Sequence, residues 1–340
     1  MKIKELCKRF SSGKSIKADD IKSVGKYPVY GGNGVRGFTN SYNFSGECAI
    51  IGRQGEKCGN VRYFCGKAYM TEHAIVLEPN TDNNACYIAY KLSLMNLKQF
   101  QGQSAQPGLS VKTLSNINID LPKLDEQKRI GELLLKIDEE ILRNHTINDN
   151  LEQVIKSCFD FMFATRKPNG IIGDILCEHA KSTIQVSDSA DVSGDFPFFT
   201  SGETVNEWKT ALVDGMNCYL STGGNATIKG YYGKAAYSTD TWCVFGKGDY
   251  SFYLYSYLKS IIRSINDFFF AGSGLKHLQK DSLVLVKLYI PTEDELKKFN
   301  SVVKPAMETM AKLFIETKKL KQQRDFLLPL LMNGQATIAE

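Results

Sequence analysis

The sequence predicts an α+β fold: two β-rich mixed bodies in a pseudo-twofold repeat, separated by two long antiparallel coiled-coil helices. Three observations predict it. Landmarks recur 169 residues apart, as from Ile3 to Ile172 and from Pro28 to Pro197. Each copy ends in an apolar stripe of 3-4 spacing kept over several heptads, which marks a coiled-coil helix rather than a simple surface helix. Before each stripe, short apolar runs alternate with Gly-rich turns, the pattern of strands.

The first body spans residues 1–122, with strands at Cys48–Ile51, Val61–Phe64 and Ala74–Leu77, a helix around Asn84–Leu97, and a closing strand that ends at Pro122. Helix one, residues 123–165, carries the seam Ile130, Leu134, Ile137, Ile141, Asn144, Asn148, Leu151 and Ile155. The second body spans residues 166–291, with strands at Cys218–Leu220, Tyr231–Tyr232 and Trp242–Phe245, a helix around Tyr250–Ile265, and a closing strand to Pro291. Helix two, residues 292–340, repeats the seam as Phe299, Val303, Met310, Leu313, Thr317, Leu320, Arg324 and Leu327. At ~1.5 Å per residue, a helix of about 38 residues is about 55 Å long. The polar seam positions fix register at some cost in stability. Antiparallel pairing is the natural pseudo-twofold arrangement, and it would put the bodies at opposite ends of a rod.

The repeat holds in detail. Leu6 meets Ile175, Tyr27-Pro28 meets Phe196-Pro197, Gly46 meets Gly215 and Ile51 meets Leu220. After a one-residue deletion Tyr69 and Thr71 meet Tyr237 and Thr239, and the first offset then returns at Phe100 and Phe269 and at Pro122 and Pro291.

Composition is that of an ordinary globular chain, with 43% hydrophobic and 23% charged residues. No apolar run reaches membrane-span length and the first residues hold no apolar signal core, so a cytoplasmic location is expected. Nine cysteines without a C-x-x-C pair, and four histidines without ligand spacing, predict neither disulfides nor a metal site. Net charge is only +5, but its distribution is uneven. Residues 1–122 hold 16 Lys/Arg against 9 Asp/Glu, residues 123–165 hold 6 against 9, residues 166–291 hold 12 against 12, and residues 292–340 hold 8 against 7. A basic first body suits a polyanionic partner.

Gly32 to Gly37 spell G-x-G-x-x-G, yet the residues that follow, Phe38 to Gly46, are turn and strand material. A dinucleotide fingerprint needs a helix start there, so a tight hairpin-like surface loop is expected instead. The second copy keeps the aromatic-Pro strand and drops the fingerprint. That points to a frame with a variable loop, its glycines allowing close approach to a duplex. No P-loop, G-x-S-x-G elbow or H-E-x-x-H occurs, and without any Pro-Pro there is no amino-methyltransferase motif. The chain is expected to be non-catalytic.

What remains are polar, Gly-rich loops in matching places of both copies. In the first they carry Asn33, Arg36, Arg53, Gln54, Asn60, Arg62, Glu72, His73, Gln103, Ser104 and Gln106. In the second they carry Asn206, Lys209, Thr222, Asn225, Lys229, Tyr231, Asp240, Thr241, Ser273, Lys276 and His277. Arg and Lys suit guanine, Asn and Gln adenine, and carboxylates cytosine. One frame carrying two sets of readers suits a bipartite, asymmetric DNA site.

Over nearly its whole length the chain resembles the specificity subunits of type I restriction–modification systems. The resemblance lies in "KYPVYGGNGVRGF", "GECAIIGRQGEKCGNVRYF", "GQSAQPGLSVKTLSNINIDLPKLDEQKRI" and "RDFLLPLLMNGQATI". The second copy departs from it, with Ala271 to Lys276 replacing the Gln-Pro-Gly-Leu-Ser run. The resemblance implies that each body is a target-recognition domain for one half of a split DNA sequence. It implies that the helices act as a spacer ruler and as a dock for two methyltransferase subunits, joined by restriction subunits in the full complex. No cofactor is then expected in this chain; S-adenosylmethionine, ATP and Mg belong to the partners. The rival readings are an orphan or exchange subunit of the same chemistry, and a coiled-coil protein-interaction scaffold with globular ends.

Overall fold

The computed structural model describes residues 1–102, 108–190, 192–272 and 274–338. Its contacts divide the chain into two units, Met1–Ile141 with Lys319–Glu340, and Leu142–Lys318.

In the first unit β1 (Cys7–Ser12), β2 (Tyr27–Gly31), β3 (Gly34–Thr39), β4 (Phe44–Gly52), β5 (Val61–Met70) and β6 (Ala74–Pro79) form one sheet in the order β1-β6-β4-β5-β2-β3. Side chains alternate across it, as the strand period requires. Ala49, Ile51, Ile75 and Leu77 pack on one face with Ile88 and Leu92 of helix α1 (Ala85–Ser93), while Cys48, Ile50 and Val76 pack on the other with Phe44 and Met70. The Asn84 side chain caps α1 by accepting from the Tyr87 N–H at 2.9 Å. The helix is shorter than the sequence pattern implied, because Asn96 takes a left-handed φ of 42° and a 3-10 turn, Leu97–Phe100, follows. A short α2 (Val111–Ser115) precedes the long α3 (Leu124–Phe163).

The second unit holds β7 (Gly170–Ile171), α4 (Ile172–Ile175), β8 (Leu176–Glu178), β9 (Phe196–Phe199), β10 (Val205–Trp208), β11 (Met216–Ser221), β12 (Ile228–Tyr232), β13 (Ala236–Tyr237) and β14 (Thr241–Gly246). There follow α5 (Ser251–Ser260), α6 (Ile262–Phe268), β15 (Phe270–Ala271), β16 (His277–Leu278), α7 (Lys280–Leu283), β17 (Lys287–Leu288) and the long α8 (Glu293–Met332). The expected single helix is therefore split at Ile261 into α5 and α6. The sheets run β12-β11-β14-β8, β10-β9-β13, β15-β16 and β17-β7.

The 169-residue repeat is written into hydrogen bonds. Lys2 N–H donates to Glu5 Oε2 at 2.9 Å, and Ile171 N–H to Asp174 Oδ2 at 2.8 Å. Lys2 bridges Asn118 just as Ile171 pairs Lys287. That first bridge is isolated, so the closing strand expected before Pro122 is reduced to one residue pair. The deletion in the alignment also has a cause. Strand β5 is continuous and pairs both β4 and β2, whereas its counterpart breaks at Gly233 (φ 138°) into β12 and β13, which join different sheets.

Helices α3 and α8 are each 40 residues long. Thr292 and Glu295 form a reciprocal capping box at the start of α8, Thr292 N–H to Glu295 Oε2 at 3.0 Å and Glu295 N–H to Thr292 Oγ1 at 3.4 Å. Gln127 stitches α3 to the start of α1: it accepts from the Asn84 N–H at 2.9 Å and donates to Pro122 O at 2.9 Å. Within the first unit Ile130 and Leu134 are buried with Leu331 and Met332, and Leu327 packs against them. Within the second, Phe163 meets Phe299 at 5.4 Å and Arg166 beyond it meets Glu295 at 3.0 Å, so α3 and α8 pair antiparallel there. Ile155 and Val303 are buried in that core, with Leu151 and Met310 at its margin. Ile141 is buried; Ile137, Leu313 and Leu320 are half-buried. Asn144 and Thr317 are buried as well, and among the described residues Asn144 Nδ2, Asn148 Oδ1 and Thr317 Oγ1 meet no hydrogen-bond partner.

Candidate nucleic-acid interface

The first candidate site is built on the β2–β3 hairpin. Gly31 pairs with Gly34, leaving Gly32 and Asn33 as the turn, and Gly34 needs its φ of 105°. The motif thus leads into a strand, not a helix. Its glycines do permit a close approach, but to the chain's own backbone rather than to a ligand. A Cβ on Gly32 would lie 3.2 Å from the carbonyl oxygens of Gln54 and His73, and one on Gly52 would lie 2.4 Å from Gly32 O. The turn is therefore pressed onto the Arg53–Gln54 loop, itself held by Arg53 N–H to His73 O at 3.0 Å and Leu109 N–H to Arg53 O at 2.8 Å.

This packing gathers polar side chains around the Gly32–Asn33 turn. The Arg36 stem lies over Gly31, 2.6 Å from where a Cβ would be, and the Arg62 guanidinium lies 3.3 Å from the same position on Gly34. Burial pushes the Tyr30 phenol up while the nearby Arg62 charge draws it down. His73 Nδ1 lies 3.0 Å from Gln54 Oε1, and His73 Nε2 lies 3.4 Å from Glu72 Oε1. Asn33, Arg36, Asn60 and Arg62 are exposed; Arg53, Gln54 and His73 are half-buried. Gln103, Ser104 and Gln106 lie outside the described residues, as does Ser273 in the second body.

The second unit gathers fewer of its candidates. The Thr222–Asn225 loop meets the Lys276–His277 segment through a Gly223–His277 bridge, with Gly224 N–H to Lys276 O at 2.9 Å. Asn225, Lys276 and His277 are exposed, while Thr222 Oγ1 donates to Asp240 O at 2.7 Å. Lys209 is exposed apart from these. The remaining candidates serve the fold. Tyr231 (7% exposed) sits in the core with Phe199 and Tyr219, and Thr241 (4%) donates to Phe199 O at 3.2 Å. Neither is on the surface: Tyr231 turns inward from β12, whose Lys229, Gly230 and Tyr232 are half-buried, and Thr241 lies on β14, which is buried along nearly its whole length. Lys229 donates to the Thr200 and Gly202 carbonyls, and half-buried Asn206 to Ser189 Oγ at 2.9 Å.

Beside this loop is a cleft of about 530 Å³ lined by Glu178, His179, Lys181, Thr222, Trp242 and Lys280. Trp242 Nε1–H donates to Glu178 Oε2 at 2.6 Å, and Lys280 Nζ lies 4.8 Å from the Trp242 ring centroid. Of these, sequence reading singles out Thr222 and misses the others. Their only signal was the closeness of Lys280 to the Lys276–His277 pair.

Residues 1–153 match the family described as type I restriction modification DNA specificity domain. The Escherichia coli EcoprrI specificity subunit is 41% identical over 112 residues, 33% of this chain and 28% of that protein. The MjaIX specificity subunit of Methanocaldococcus jannaschii is 22% identical over 299 residues, 75% of this chain and 69% of that protein. The crystal structure of a type I restriction-modification S subunit from M. genitalium superposes with a TM-score of 0.75 at 15% identity, over 97% of this chain and 95% of that one. That likeness establishes a shared fold.

Proposed function

We propose that this chain, whose first 153 residues belong to the type I restriction modification DNA specificity domain family, is the recognition subunit for a split double-stranded DNA target. Each globular body reads one half-site. The paired helices α3 and α8 set the number of base pairs left unread and receive two methyltransferase subunits, with restriction subunits joining the full complex. Adenine methylation with S-adenosylmethionine, and ATP- and Mg-dependent cleavage, belong to those partners.

One observation carries this reading. Gln54 bridges Gly108 in the first unit and Gly223 bridges His277 in the second, the same frame positions 169 residues apart with different side chains on them. A repeated frame with interchanged polar groups is what two unlike half-sites require. The supporting test is selection from a random-sequence duplex pool by the chain with and without its methyltransferase subunits. A motif of two short specified blocks around an unspecified spacer is expected. Recovery of no split motif in either arm overturns the reading.

A further inference from the structure

We infer that the first body reads a guanine through Arg36, Arg62 and Gln54; this rests on the DNA-reading function proposed above. The hydrogen-bonding atoms of the hairpin cluster that remain free are mostly donors. Gln54 Oε1 is taken by His73 Nδ1 at 3.0 Å, so the side chain presents only its Nε2 donors. The Glu72 carboxylate is partly withdrawn, with Oε2 buried and Oε1 3.4 Å from His73 Nε2. Arg36 and Arg62 are exposed on either side of the turn, and among the described residues neither forms an ion pair.

A set of three side chains, Arg36, Arg62 and Gln54, that presents donors alone selects a base edge made of acceptors. In the major groove guanine alone offers two adjacent ones, N7 and O6. Adenine pairs its N7 with an N6 donor, which needs the Gln54 oxygen that His73 occupies. Cytosine presents a donor and needs a carboxylate, which the Arg36, Arg62 and Gln54 set does not contain. Thymine offers one acceptor beside a methyl group. Arginine also suits phosphate, a contact that would carry no sequence information.

The test uses the full chain assembled with its methyltransferase subunits. A duplex recovered by selection is re-bound with each guanine in turn replaced by 7-deazaguanine, which lacks N7. The comparison covers wild type, Arg62→Ala and Gln54→Glu, with thermal unfolding confirming that each variant folds. Replacing one guanine in one half-site should weaken wild-type binding about tenfold or more. The same replacement should add little in Arg62→Ala. Gln54→Glu should move the preferred base at or beside that position away from guanine and leave the other half-site unchanged. The inference is overturned if 7-deazaguanine costs nothing, if the affected half-site lacks guanine, or if Arg62→Ala weakens all duplexes equally. If no split motif is recovered at all, the underlying DNA-reading function falls with it.

Discussion

Arg324 Nη1 lies 2.8 Å from Asp138 Oδ1, and the other oxygen of that carboxylate accepts from Tyr90 O–H at 2.5 Å. One carboxylate thus ties α3 to α8 and to α1. Both charged side chains are about one-third exposed or less, at 27% and 34%, so the pair is screened less than a surface bridge. Asp138→Ala should cost about 1–2 kcal/mol in chemical denaturation, since it removes two hydrogen bonds to a charged group. The double variant with Arg324→Ala should cost less than the sum of the single ones, and a simple sum would show that the pair is not coupled.

Acid should act partly through Glu207. Burial tends to raise its carboxyl, but the Gly194 N–H at 3.0 Å and Lys318 at 3.0 Å outweigh this and hold it below the ordinary carboxylate range. A carboxyl depressed in the folded state contributes stability that is fully present above its unfolded value, about 4.3 for glutamate. That stability is lost as pH falls through the lower folded value. Glu207→Gln should therefore flatten the stability curve below about pH 5. Denaturation midpoints at several pH values decide it, and an acid limb as steep as wild type would rule the contribution out.

How much of this could be read beforehand depended on whether one period or one neighbour decided the outcome. The stripes from Ile130 to Ile155 and from Phe299 to Leu327 were legible because a coiled-coil seam repeats over a long distance. The G-x-G-x-x-G pattern was legible from the strand residues after it, although what its glycines approach was not. Asn96 ends a helix through a backbone angle that no pattern announces. Tyr231 and Thr241 read as loop residues in the sequence because Gly-rich flanks look alike whether a side chain turns in or out. Strand β14 is buried along nearly its whole length, so no alternation betrays which way Thr241 faces. The Gln54–His73 contact joins residues 19 apart across two loops, and only the folded chain reveals it.

In the second body, exposed and buried candidates should separate cleanly. Lys276→Ala and His277→Ala should weaken DNA binding without moving the unfolding midpoint. If Lys276 meets a phosphate, the slope of log affinity against log salt should fall by about one. Tyr231→Ala should instead cost about 3–5 kcal/mol of stability, as for a large core aromatic. Thr241→Ala removes one of two donors to the Phe199 carbonyl, which keeps the Ser238 N–H at 3.0 Å, and should cost about 0.5–1.5 kcal/mol. The assignment fails if Tyr231→Ala changes the selected sequence while leaving stability intact.

The role given to the helices makes a quantitative demand. Seven residues inserted into α3 near Asn144–Asn148, and seven into α8 near Leu313–Thr317, preserve the heptad phase of both seams. At ~1.5 Å per residue the addition is about 10 Å. One base pair rises ~3.4 Å, so the unread spacer should grow by about three base pairs. Both specified blocks should stay as they were, because no residue of either body has changed. Insertion into one helix alone leaves the seams mismatched, and it should destabilise the chain rather than lengthen the spacer. The readout is the motif selected from a random duplex pool by the doubly inserted chain with its methyltransferase subunits. A changed half-site, or an unchanged spacer from a folded protein, would show that something other than helix length sets the gap.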